Sequence, residues 1–97
     1  MNNLFVSYDL KQPGQNYDRV AEAIKSLGSW AKVQYSLWYV KSSHSAKTAA
    51  EIVRRAQDTG DSLIVVDASN NDASWYGVDP EVSQFIQRQW ARALAYR

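Results

Sequence analysis

Apolar residues along this chain alternate between two periods, that of an extended strand and that of a helix, and the alternation dictates a mixed sheet-and-helix domain. Leu4 to Tyr8 is a short apolar run ending at Asp9, and Gln12-Pro13-Gly14-Gln15 behind it reads as a turn. Tyr17, Val20, Ala21, Ile24 and Leu27 then recur at the spacing of one helix face. Asn16 is placed to cap that helix, and Gly28 to end it in the left-handed conformation. Trp30 to Val40 is β-branched and aromatic, and the polar Gln34-Tyr35-Ser36 within it predicts two short strands with a tight connection.

Ser42, Ser43 and Ser45 offer N-cap oxygens for a second helix. Its stripe of small residues (Ala46, Ala49, Ala50, Val53, Ala56) suits close packing on a sheet, and Gly60 supplies a stop. Leu63 to Val66, between Asp61 and Asp67, predicts a buried strand. Ala68 to Asp79 reads as a polar loop, with Trp75 and Tyr76 as a lid over the core beside Trp90. Asp79-Pro80-Glu81 then starts a third helix over 79–96, with Val82, Phe85, Ile86, Trp90, Ala93 and Leu94 as its buried stripe. The order predicts an α+β fold of the ferredoxin-like βαββαβ type: an antiparallel sheet with two helices on one face. Residues 1–97 form one domain in this reading, and 79–96 a C-terminal helix extension that covers the sheet's other face or packs on a second subunit.

Composition narrows the chemistry. Ninety-seven residues support one modest core. With 11 basic and 10 acidic side chains the net charge is +1, so nucleic-acid binding would have to come from a local patch. The absence of cysteine excludes thiol catalysis and cysteine-ligated zinc, and a single histidine, His44, excludes a histidine-rich metal site within one subunit. Met1 to Tyr8 is too short and lacks the basic start of a signal peptide, and no stretch approaches the ~20 apolar residues of a membrane span. The expectation is a cytoplasmic protein with no membrane contact. Four Trp and six Tyr imply large buried faces or an interface.

Two segments resemble a known family. Val6-Ser7-Tyr8-Asp9-Leu10 and Val33-Gln34-Tyr35-Ser36-Leu37-Trp38 are similar to the strand-end motifs of the CRISPR-associated Cas-two proteins. The Phe-Val-Ser-Tyr-Asp-Leu-Lys start and the Gly-Ser-Trp beside the second strand are closer still to the SinR-like branch. The likeness spans residues 4 to 67 in order and spacing. It implies a ferredoxin-like homodimer in which Asp9 faces the partner's aspartate, sometimes around a divalent cation. It also implies an association with nucleic acid, either as a metal-dependent nuclease or as a structural holder of DNA; related VapD-like proteins cleave RNA. After Val66 the chain departs from the family, which often ends in a strand that joins the partner's sheet. That departure favours a stand-alone function.

Asp9 is the first catalytic and metal-anchoring candidate, through Mg²⁺ or Mn²⁺ held with its symmetry mate, with Ser36 the second catalytic one; otherwise Asp9 caps a turn. Ser36, matched to a family serine, could orient water or phosphate, or simply bond backbone, since no base stands beside it. Tyr8 and Tyr35 either stack on bases or pack. Lys11, Arg19, Lys41, Lys47, Arg54 and Arg55 form a local phosphate-binding patch, unless the interleaved Asp18, Glu51 and Asp58 make it an ordinary solvated face. Asp67 and Asp72 could ligate metal, but such clusters also build turns, and His44 reads as surface. Two functions follow: a homodimeric scaffold holding RNA or DNA, placed first, and a metal-dependent endonuclease.

Overall fold

The computed structural model describes residues 1–11 and 17–95, with side chains described through Trp90. Its elements are β1 (Asn2–Asp9), α1 (Tyr17–Lys25), β2 (Gly28–Gln34), β3 (Leu37–Ser42), α2 (Ala46–Arg54), β4 (Ser62–Asp67), β5 (Asp72–Tyr76) and α3 (Pro80–Ala95). The five strands form one sheet in the order β2-β3-β1-β4-β5, and every neighbouring pair is antiparallel. The fold is α+β.

Alternation along the strands decides which face is dry. Leu4, Val6 and Tyr8 of β1, Trp38 and Val40 of β3, and Leu63 and Val65 of β4 are buried and form one cluster with Val20 and Ile24 of α1. Ala46, Ala49, Ala50 and Val53 of α2 complete it, so the predicted stripe of small residues does bring this helix close to the sheet. Ser45 caps α2 as expected, its Oγ accepting from the Thr48 N–H at 3.1 Å. The opposite face carries Phe5, Ser7 and Asp9 of β1, with Tyr39 opposite Phe5 and Val66 on its other side. The predicted break at Tyr35-Ser36 is the turn between β2 and β3.

Four expectations are corrected. The polar stretch 68–79 is not a loop throughout: Asp72–Tyr76 pairs with β4 as a fifth strand, through a hairpin turn in which Asn71 takes a φ of 54°. Its polar sequence hid it, since an edge strand needs only one apolar face. Gly28 does not end α1 in the left-handed conformation. It opens β2, where a Cβ would run into the Lys41 carbonyl. Nor does Gly60 stop α2, which ends at Arg54 with Arg55 as C-cap.

The fourth correction concerns α3. Within one chain its apolar stripe is not buried: Val82 is 49% and Phe85 57% exposed, and Ile86 and Trp90 are half-buried. The sheet's dry face is already filled by α1 and α2, which leaves α3 to meet β5. Trp75 Nε1 donates to Ser83 Oγ (2.9 Å) and Trp90 Nε1 to the Asn71 carbonyl (3.2 Å). The expected Asn16 cap, the turn at 12–15 and the side chains of Ala93 and Leu94 lie outside the described residues. Among the described residues no helix is long and apolar enough to cross a membrane.

Candidate nucleic-acid interface

The two motif segments lie side by side at one end of the sheet. Ser7 is in register with Leu37, and the Tyr8 N–H donates to the Ser36 carbonyl at 3.2 Å. Asp9 ends β1 exposed, opposite Ser62, on the face that α1 and α2 leave uncovered. Ser36 sits half-buried in the β2–β3 turn. Tyr8 is in the core, its hydroxyl receiving Trp38 Nε1 at 3.4 Å, so it offers no ring to a base. Tyr35 is 77% exposed.

Lys11, just after β1, is held by a residue that the sequence did not single out. Asp61 is buried, and its carboxylate accepts the Lys11 N–H and the Asp58 N–H, both at 2.8 Å. Asp67 builds the β4–β5 turn in the same way, accepting from Ser69 N, Asn70 N and Asn70 Nδ2. Asp72 is exposed on β5. Both act as structure-building carboxylates or surface, and among the described residues no three His, Asp or Glu side chains converge on one point. The described residues of one chain therefore do not bring together the donor set of a resident Mg²⁺ or Mn²⁺ site.

The six expected phosphate-binding residues do not form one patch. Arg54 is committed to the fold: its guanidinium donates to the carbonyls of Asp61 (2.7 Å) and Thr59 (2.9 Å) and to Gln57 Oε1 (2.9 Å), and lies 5.4 Å from the Tyr76 ring centre. Arg19 and Arg55 line a shallow, open cavity of about 450 Å³ between α1 and α2, but Asp18 and Glu22 line it too. Lys41 and Lys47 are exposed on β3 and at the start of α2, and Lys11 follows β1.

A different grouping emerges on the β2–β3 hairpin. Lys25 Nζ lies 4.8 Å from the Trp30 ring centre, and Lys32 Nζ lies 5.0 Å from that of Tyr35 and 5.7 Å from that of Trp38. Trp30 packs on Trp38 with ring centres 5.3 Å apart, and Tyr35 leans on Tyr17 at 6.3 Å. Every residue of β2 is exposed. A signal for this cluster was present in the sequence: residues 23 to 50 contain Lys25, Lys32, Lys41 and Lys47 and no Asp or Glu. Residues 56 to 87, by contrast, contain Asp58, Asp61, Asp67, Asp72, Asp79 and Glu81 and no Lys or Arg. A near-neutral total conceals a basic and an acidic stretch of sequence, and the strand order sets Lys32 of β2 and Asp72 of β5 at opposite edges of the sheet.

No family model matches the chain, and neither the curated proteins nor the solved structures contain a match.

Proposed function

We propose that this chain is a stand-alone, homodimeric, nucleic-acid-associated scaffold of the cytoplasm, similar to the Cas-two and SinR-like proteins that its two motifs resemble. The frame in this reading is ferredoxin-like, with β5 and α3 appended to strands ordered β2-β3-β1-β4. The observation that carries the proposal is the segregation of charge. Four lysines with no Asp or Glu between them occupy residues 23 to 50, flanked by Glu22 and Glu51, and give this stretch a positive balance that attracts phosphate despite a total of +1. Dimerisation is supported by the apolar surface left uncovered in one chain: Val82 and Phe85 on α3, and Phe5, 38% exposed, on the uncovered sheet face. Electrophoretic titration of labelled RNA and DNA at low salt, with light scattering of the free protein, tests both halves. A monomeric mass across micromolar concentrations removes the dimer, and no retardation of either nucleic acid removes the binding.

The second reading, a metal-dependent endonuclease, draws on the place of Asp9. It stands on the uncovered face, so two copies joined by those faces would bring two carboxylates within reach of one Mg²⁺ or Mn²⁺. Cleavage of RNA or DNA in either metal that is lost in Asp9→Ala would support this reading. Cleavage that survives the substitution would remove it.

A further inference from the structure

We infer that the edge of the β2–β3 hairpin beside α1, where Trp30 and Tyr35 stand with Lys25 and Lys32, is a stacking site for single-stranded nucleic acid; this rests on the nucleic-acid reading above. The hairpin carries two ring systems open to solvent, Trp30 at 46% and Tyr35 at 77% exposure. Trp30 stands on the edge strand, Tyr35 in the turn that follows it, and Val33 between them is 53% exposed. Each is buttressed from behind, Trp30 by Trp38 and Tyr35 by Tyr17, so each presents a ring whose position is already fixed. Trp30 and the end of β2 at Gln34 are four residues apart, about 13 Å of extended chain, which is room for more than one nucleotide.

The lysines decide the ligand. An ammonium resting over an exposed ring is a weaker contact than a base stacked on it, so an arriving base displaces Lys25 or Lys32 from the ring. The freed ammonium then stands beside the base at the position of the backbone phosphate. Rings with charges at their margin thus meet the two halves of a nucleotide at once. Lys32 lies near the Tyr35 ring and near Trp38, the buried ring that backs Trp30. Duplex bases have both faces occupied by their neighbours, so the arrangement selects single strands. A polypeptide strand added to the β2 edge is the competing occupant. Lys32 on that edge and the register shift between Lys32 and Gln34 both oppose regular pairing.

The test is fluorescence anisotropy of the full-length protein with a labelled pyrimidine-rich RNA, the same sequence as DNA, and the corresponding duplex. Wild type is compared with Tyr35→Ser, Tyr35→Phe, Lys25→Gln/Lys32→Gln and Trp30→Ala, with folding checked by circular dichroism. The expected result is preference for single strands, a fall of about five- to hundredfold in Tyr35→Ser, retention in Tyr35→Phe, and a flatter salt dependence in the lysine pair. The RNA and DNA arms tell which strand is favoured. Trp30 packs on Trp38, and if Trp30→Ala unfolds, the exposed Tyr35 still decides. Wild-type affinity in Tyr35→Ser, or duplex bound as tightly as single strands, overturns the stacking site while the nucleic-acid reading stands. No binding of any form overturns both, and a change of oligomeric mass in Tyr35→Ser without a change in binding assigns the hairpin to a protein partner instead.

Discussion

Asp61 and Arg54 show how far a single side chain's role depends on residues that only the fold brings near. Asp61 reaches a backbone N–H fifty positions away at Lys11, and Arg54 ends among the carbonyls of the 57–61 turn. Removing a buried acceptor of two N–H groups costs about 1–3 kcal/mol. Asp61→Ala is therefore expected to lower the urea midpoint without changing the slope of the transition. Hydrogen bonds to a charged donor contribute about 1.5–3 kcal/mol, so Arg54→Ala should destabilise by a similar amount. Arg55→Ala, on an exposed side chain, should stay within about 0.5 kcal/mol of wild type. Equal midpoints for Arg54→Ala and Arg55→Ala would contradict these assignments. Neither role was legible beforehand, because spacing along a chain does not reveal which carbonyls converge on a guanidinium. Ser45 was legible because a cap bonds its own helix, three residues on.

Elements were legible where their apolar period was strong and their partners local. α1, α2 and β4 follow from their stripes, and the turn at Tyr35-Ser36 from its polarity. β5 was not, since Asp72, Ser74 and the preceding Asn pair read as loop until β4 supplies the ladder. The start of α3 was written in Asp79-Pro80-Glu81, and Asp79 Oδ1 does accept the Glu81 N–H at 2.9 Å. What the stripe of α3 meets was not, because periodicity says that a face is apolar and not what covers it. A charge placed there separates the possibilities. If the proposed dimer forms through α3, the fold of Phe85→Asp should persist, with near-native circular dichroism, while the mass by light scattering falls from dimer to monomer. An unchanged dimer would move the interface away from α3.

For the molecule as a whole, the distribution of charge governs behaviour that the total conceals. Four lysines are available on residues 23 to 50. If all four meet phosphates of a single strand, the slope of log K against log salt is about −3. A measured slope near −6 would require cations from elsewhere in the chain and would refute this placement, whereas a slope near zero would leave stacking alone. The same separation has a consequence for the protein on its own. Neighbouring strands lie about 4.8 Å apart, so Lys32 of edge strand β2 and Asp72 of edge strand β5 stand on strands roughly 19 Å from each other. That distance exceeds the ~8 Å Debye length of physiological salt but falls well inside the ~30 Å length at 0.01 M. In dilute buffer Lys32 on one molecule's edge attracts Asp72 on the edge of the next, and added salt screens that attraction. This protein should therefore salt in: turbid when dialysed against water, clear again in ordinary saline, and retained by cation and anion exchangers alike.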